Sequence, residues 1–337
     1  MVQGISSTSS CVGRNSGVSE NVAARVSGIL FNILAAIAVA VYFVTRPFYS
    51  FSDRGNYLIH AQPGRFGNVL DRGPVEIIEY QPLWRAWNEV LTTFFDEKTV
   101  VLIHSGLSTF LLIFAALSLI DRFGLRFQHK LIFLVLFFTL PMFHDKTTSH
   151  LRQGLAISLF VTSFLLRKPS QVALVWLLPF IHYGFLITAT TWTAVELLRT
   201  ERFRPISCLT PMVLVSLLTM FMVTGFMLLY PIALLVDFDR LSYYLWYREV
   251  EVTGLGLVLW GFVAFLLIAQ GKEFLRNNLF VVTSVLQYLI GYVLFLTPAR
   301  MFNNAQVLVA IAGLQLTGYR LIGFYFVLAL LVGRELL

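Results

Sequence analysis

The sequence predicts an all-α, polytopic integral membrane protein with about nine to eleven transmembrane helices. Of its 337 residues, 57% are hydrophobic and only 13% are charged, and the mean hydropathy is +0.76. An average soluble domain has about a quarter charged residues. Several apolar runs also reach the ~20 residues that a helix needs to cross a ~30 Å hydrocarbon core. These observations disfavour the alternative, a soluble two-domain protein.

The first helix follows a polar leader. Residues 1–25 are small, polar and rich in serine, which predicts a disordered cytoplasmic tail. The apolar run 26–45 predicts the first transmembrane helix, and 26–337 is expected to form a single transmembrane helical domain. A signal peptide is the alternative for this run, but the leader is long and further apolar runs follow.

The next segment, 46–98, mixes acids and bases almost evenly and therefore lacks the basic excess of a cytoplasmic loop. We expect it to be a periplasmic loop. Within it, Glu79 to Phe95 has an amphipathic pattern, which predicts an interfacial helix. The apolar stripe of that helix is expected to comprise Leu83, Trp87, Val90 and Leu91.

Basic links then set the direction of the following helices. Helices are predicted over 99–120, 128–143 and 151–166. The links "DRFGLRFQHK" and "RKPSQ" are basic and are expected to be cytoplasmic. The segment "HDKTTSH" between the second and third of these helices is therefore expected to face outward.

The run "VALVWLLPFIHYGFLI" is ambiguous, because one continuous helix would place three following arginines outside. A break at "PFIHYG", where a proline and a glycine interrupt the pattern, returns them to the cytoplasm. Non-helical backbone at membrane depth needs a protein or water-filled lining, so the break implies an outward-facing cavity beside His182. Further helices are predicted over 206–230, 254–270 and 278–297, and 304–334 forms one long helix or two short ones split at "TGYR".

This topology collects polar residues from at least four segments at one membrane depth. Charge at the edge of hydrocarbon is costly and usually functional. The residues are Asp53, His144, Asp145, Lys146, His150, Arg152, Gln153, His182, Arg300, Asn303 and Asn304.

Arg152 is the strongest candidate among them. It stands in the first turn of a predicted helix, where free N–H groups and the helix dipole favour an anion. Its planar fork suits phosphate oxygens, and Gln153 can donate two more hydrogen bonds. The alternative is an arginine that merely extends to the outer interface.

Three histidines compete for the role of a proton acceptor near neutral pH, namely His182, His144 and His150. The alternative for His182 is a ring that only satisfies backbone groups at a helix break. Arg300 either binds an anion or forms an ion pair with Asp53, which is itself otherwise a solvated loop acid. The aromatic loop around Tyr243 and Trp246 either stacks on sugars or forms an interfacial belt.

Several classes of site are not indicated by the sequence. Two distant cysteines, Cys11 and Cys208, do not form a disulfide framework. We find no Asp-rich nucleotide-sugar motif, Walker loop or zinc-hydrolase motif, so no metal site and no cofactor is expected. The occupant best suited to an outward anionic site is a lipid-linked phosphate or diphosphate.

The stretch "SHLRQGLAISLFVTSFLL", the basic link and "LLPFIHYGFLI" resemble the EpsG/Wzy-type bacterial polysaccharide (O-antigen and exopolysaccharide) polymerases. "SDRGNY", "EYQPLWRAWNEVL" and a late arginine, Arg300, resemble them too. The resemblance covers about 45–310 of the chain. This chain has Phe180-Ile181-His182 where the family usually has a Phe-His pair.

The resemblance implies a metal-independent membrane glycosyltransferase in the bacterial inner membrane, with its active site facing the periplasm. It would polymerise oligosaccharide repeat units linked to undecaprenyl diphosphate. It implies catalytic roles for His182, Arg152 and Arg300. Substrate binding is assigned to four further residues, Gln153, Asp53, His150 and Asn304. Expected partners are the lipid-linked glycan, membrane lipid, a flippase and a chain-length regulator, without nucleic acid.

Two other classes stay open. A transporter or flippase of a lipid-linked or anionic solute needs the same arginines but no base, and usually contains repeats. A membrane acyltransferase would normally place its buried histidine toward a cytoplasmic acyl donor.

Overall fold

The structure is a computed structural model, and every regular element in its described residues is helical. Those residues are 14–51, 54–60, 81–198, 213, 215–221, 224–225, 254–294 and 304–336. Two 3-10 turns, Phe48–Ser50 and Leu178–Phe180, supplement the helices. The helices are α1 (Arg14–Thr45), α2 (Arg54–His60), α3 (Pro82–Thr92), α4 (Glu97–Arg122), α5 (Phe127–Thr139), α6 (Pro141–Thr148), α7 (Leu151–Ser163), α8 (Lys168–Leu177), α9 (Phe185–Leu198), α10 (Gly254–Ala269), α11 (Lys272–Asn277), α12 (Leu279–Leu294), α13 (Gln306–Leu314) and α14 (Tyr319–Leu336).

Within the described residues, two helices are long and apolar enough to cross a membrane. They are the Val26–Thr45 part of α1 and the whole of α4. The bent pair α5 and α6 forms a third if it counts as one span. Further apolar helices in α9, α10, α12 and α14 are shorter. The all-helical architecture is thus confirmed, and two to three of its helices could span a membrane. The count of nine to eleven spans and the periplasmic loop 46–98 remain predictions.

Two boundaries differ from the sequence prediction. Helix α1 begins at Arg14, so residues 14–25, expected to be disordered, continue the first helix. Adding residues to an existing helix avoids the cost of nucleation. The predicted helix 128–143 is instead divided, because α5 ends at Thr139 and α6 begins at Pro141, bent by 68°. A proline disfavours helix at the residue before it and starts a new helix well.

One predicted interruption is confirmed, and one alternative that the sequence left open is decided. The segment "PFIHYG" separates α8 from α9, with a 3-10 turn over Leu178–Phe180 before α9 begins at Phe185. The last apolar run is split into α13 and α14, and Gly318 between them has a positive φ of 60°. That backbone conformation strongly favours glycine.

Helix α4 is the centre of the bundle. It packs against α1, which runs in the opposite direction, so that Asn32 of α1 donates to Asp121 of α4 at 2.9 Å. It also packs against α7, which runs in the same direction, and Ser158 Oγ donates to the Ser108 carbonyl at 2.7 Å. Close α4–α7 contact therefore depends on small residues, as in many membrane bundles.

The bundle has two ends, and we name each after a basic residue that lies there. At the Lys130 end, Lys130 is only 3% exposed, and its Nζ donates to Asn32 Oδ1 at 2.8 Å. The same ammonium pairs with Asp121 at 2.6 Å, so α1, α4 and α5 are joined by one charge. The opposite end, where α7 begins, is the Arg152 end.

We expect Lys130→Ala to lower the stability of the bundle, because it leaves the buried Asn32 oxygen without a donor. An unsatisfied buried polar group costs about 1–3 kcal/mol. The measurement is the thermal unfolding midpoint of the purified protein in detergent. The matched control is Arg126→Ala, an exposed cation four positions earlier. Equal midpoints for the two variants would contradict the role of Lys130.

Candidate anion site at the Arg152 end

The predicted site residues that the structure describes lie at the Arg152 end. Five elements meet there: α2, α3, the first turns of α4, the junction of α6 with α7, and the turn before α9. The 3-10 turn at Leu178–Phe180 contacts both α3 and α7, which places His182 on the same side as Arg152. Asp53 and Arg300 lie outside the described residues, so their assignments stay predictions.

Arg152 directs its guanidinium into the protein. Its Nη1 donates to Gln81 Oε1 at 3.0 Å, and its Cζ lies 5.8 Å from the Tyr57 ring centre. Gln81 is buried and has a left-handed backbone, with φ of 54°. In the described part of the chain, Arg152 Nε has no hydrogen-bond partner and no carboxylate pairs with the guanidinium. This geometry disfavours an arginine that only extends to the membrane surface.

Gln153 and Asn304 are brought together although they are far apart in sequence. Gln153 Nε2 donates to Asn304 Oδ1 at 3.1 Å, and Asn304 Nδ2 donates to Thr188 Oγ1 at 2.9 Å. All three side chains are buried. The chain of amides joins α7, the start of α13 and α9. In this structure the amide of Gln153 therefore holds helices together.

His150 stands immediately before α7. Its Nε2 lies 3.5 Å from Asp145 Oδ2, and Lys146 Nζ lies 3.9 Å from the same oxygen. The turn is tight, because a Cβ added at Gly154 would overlap the Lys146 carbonyl. Glycine at this position is thus required for α6 to lie against α7, next to Arg152.

The other two candidate histidines have different surroundings. His182 stacks on Tyr183 with ring centres 5.4 Å apart, and a Cβ added at Gly184 would lie 2.9 Å from its ring. His144 Nδ1 donates to the Phe137 carbonyl at 2.8 Å, and its ring stacks on Phe43. Because the carbonyl can only accept, His144 Nδ1 is the protonated nitrogen.

Arg54 is a buried cation that sequence reasoning missed. Its side chain is fully buried, and it donates to three elements: to the Phe43 and Thr148 carbonyls, each at 3.1 Å, and to Ser105 Oγ at 3.0 Å. Its Cζ also lies 4.2 Å from the Phe51 ring centre. Burial lowers the pKa of Arg54 to about 10, so the group remains charged at neutral pH. The sequence did contain an indication of its role, because Arg54 in "SDRGNY" lies on the predicted outer side, where positive residues are unexpected.

His104 is a second missed residue. It lies in α4, is 1% exposed, and its Nε2 is 3.0 Å from Asn88 Oδ1 of α3. Its ring lies 4.2 Å from the Trp84 ring, and Trp84 lies 5.9 Å from Tyr57 beside Arg152. In the described residues, His104 Nδ1 has no hydrogen-bond partner. A histidine within an apolar run was the available signal.

Helix α3 packs one face on the bundle and leaves most of its predicted apolar stripe exposed. Its buried residues are Trp84, Asn88 and Leu91. Of the predicted stripe, only Leu91 is buried, while Leu83, Trp87 and Val90 are 40–53% exposed. The inner face is chosen by the contacts of Trp84 and Asn88 with His104, which the hydropathy pattern does not encode.

The arrangement is suited to an anion. Two guanidinium groups, Arg54 and Arg152, are held at one end of the bundle without a carboxylate partner among the described residues. Guanidinium donors that keep free N–H groups match phosphate oxygens. Within the described ranges, no three His, Cys, Asp or Glu side chains gather as a metal site would require.

Comparisons of the chain with protein families, with curated proteins and with solved structures find no match.

We expect Arg54→Ala to destabilise the fold strongly, because it leaves the buried Phe43 and Thr148 carbonyls without a donor. The loss is on the order of 3 kcal/mol. The thermal unfolding midpoint should fall accordingly, while Arg46→Ala, which removes an exposed arginine from the same end, should change it little. An unchanged midpoint for Arg54→Ala would show that this cation does not hold the three elements.

Proposed function

We propose that this protein is a membrane glycosyltransferase that polymerises oligosaccharide repeat units linked to undecaprenyl diphosphate. The observation that supports it best is the half-buried guanidinium of Arg152 in the first turn of α7, held by Gln81 and Tyr57 and unpaired by any described carboxylate. We propose that the site faces the periplasm of a bacterial inner membrane, where the lipid tail stays in the bilayer.

The proposed reaction is a displacement at the anomeric carbon of the donor. The oxygen of an acceptor hydroxyl forms a bond to that carbon, and the bond from the carbon to the diphosphate oxygen breaks. Undecaprenyl diphosphate leaves with the bonding electrons, and the hydroxyl proton passes to a base. His182 is the proposed base, and His150 and His144 are its rivals.

The proposed role of Arg152 is to stabilise the negative charge that develops on the leaving diphosphate. Preorganised donors at such a point contribute most when they need no rearrangement during the reaction. The contact of Arg152 with Gln81 and Tyr57 restricts the guanidinium in this way. Arg300 is proposed as a second diphosphate ligand on the basis of the resemblance alone, and Asp53 as an acceptor-binding residue.

We expect purified protein incubated with a lipid-linked oligosaccharide to produce a ladder of longer glycans. Arg152→Ala should reduce the rate of polymer formation by about 10²–10³-fold, because one transition-state donor is lost. Arg152→Lys keeps the charge but loses the planar fork, so an intermediate rate is expected. Gel electrophoresis of the labelled glycan measures the ladder.

The matched control is Arg46→Ala, which should leave the ladder unchanged. A thermal unfolding midpoint equal to that of the original protein would show that Arg152→Ala folds. Full-length polymer from a correctly folded Arg152→Ala variant would overturn the proposed role of this residue. The absence of any ladder from the original protein would overturn the polymerase proposal itself.

A second candidate function is a carrier for a lipid-linked or anionic solute. One observation favours it: a cavity of about 710 Å³ lies at the Lys130 end, opposite the anion site. A carrier that alternates between two openings has such a cavity at one end while the other is closed. The carrier predicts movement of a labelled lipid-linked oligosaccharide across a proteoliposome membrane and no ladder.

A further inference from the structure

The cavity at the Lys130 end has a charged side. It is bounded by the last turn of α4, the end of α7, the start of α8, the link between α11 and α12, and α13. Arg122, Arg167 and Lys168 all line it, and Glu196 is its one acidic residue among those described. Lys168 pairs with that acid, so the charge of Glu196 is already neutralised.

The two arginines retain donors for a ligand. Arg122 Nη1 donates to the Phe164 carbonyl, which leaves its other N–H groups available. Arg167 is exposed, and in the described part of the chain its side chain has neither a hydrogen bond nor an ion pair. A cavity with two guanidinium groups and no free carboxylate favours an anion with several oxygens, such as a phosphate.

Part of the cavity lining consists of apolar side chains, and we call it the apolar wall. Phe164, Phe280, Leu308 and Ile311 line it. Its volume of about 710 Å³ exceeds the space that a phosphate alone occupies and falls within the range of cavities that hold larger organic ligands. A ligand that contacts both the arginines and the apolar wall therefore combines an anionic group with hydrocarbon.

We propose that this cavity binds an anionic phospholipid, with its phosphate between Arg122 and Arg167 and its acyl region against Phe164 and Phe280. Basic recesses between transmembrane helices are suited to such headgroups. The site is separate from the Arg152 end and does not depend on the proposed polymerase activity. The bound lipid would connect the ends of α4, α7 and α8. The Arg122–Phe164 hydrogen bond already links α4 to the end of α7.

The test uses the full-length protein in amphipol and isothermal titration calorimetry with three probes. They are dihexanoyl phosphatidylglycerol, dihexanoyl phosphatidylcholine with the same tails, and glycerol phosphate with no tails. We expect phosphatidylglycerol to bind at least about tenfold more tightly than either of the others, because each lacks one of the two complementary parts.

Variants locate the site. Arg167→Gln should weaken phosphatidylglycerol binding by about tenfold, since one charge-assisted contact is lost. Arg126→Gln, an exposed arginine of the same end that does not line the cavity, should leave the affinity unchanged. Arg167 makes no described side-chain contact, so its replacement should keep the thermal unfolding midpoint.

Three results would overturn the proposal. Equal affinity of phosphatidylcholine would exclude recognition of the anion. Equal affinity of glycerol phosphate would show that the apolar wall does not take part and that the site accepts a free phosphate instead of a lipid. Equal effects of Arg167→Gln and Arg126→Gln would place any binding outside the cavity. None of these readouts depends on polymer formation.

Discussion

In an apolar helical bundle, a buried charged group is costly unless the protein itself supplies its hydrogen-bond partners. This constraint organises the structure described here. At one end, the Lys130 ammonium is shared by Asn32 and Asp121. At the other, the Arg54 guanidinium is divided among a serine and two backbone carbonyls. Each cation contacts at least two helices other than its own. These contacts fix the register between helices whose packed surfaces are otherwise apolar.

The same constraint shapes the candidate anion site. Arg152 is oriented by a neutral amide and an aromatic ring, neither of which cancels its charge. Among the described residues no carboxylate pairs with Arg152, and such a partner would weaken the attraction of the guanidinium for an anionic ligand. Gln153 and Asn304 then connect the helix of Arg152 to α9, which begins shortly after His182, and to the start of α13. The polar network thus fixes the helix of Arg152 against two other helices of the bundle.

The two ends of the bundle differ in a way that matters for function. At the Arg152 end, Arg54 is fully buried and Arg152 half-buried, each beside an aromatic ring, whereas Arg122 and Arg167 at the Lys130 end are exposed along a cavity with an apolar wall. The lipid-linked substrate and the phospholipid proposed above would require arginines with different properties. The first requires a donor whose position is fixed before the reaction, and the second a flexible donor that follows a mobile headgroup.

The sequence by itself determined the all-helical architecture, the apolar helices that could span a membrane, several helix boundaries and the break at "PFIHYG". These follow from apolar run length and from proline and glycine positions, which are local signals. Tertiary structure decided what those signals cannot express. Arg54 and His104 owe their burial to distant partners, Thr148 and Asn88. The inward face of α3 is set by the contacts of Trp84 and Asn88 with His104, and three of the four residues of the apolar stripe lie outside it. A side chain's partner in space depends on how helices pack, and in this bundle residues over a hundred positions apart, such as Gln153 and Asn304, share one hydrogen bond.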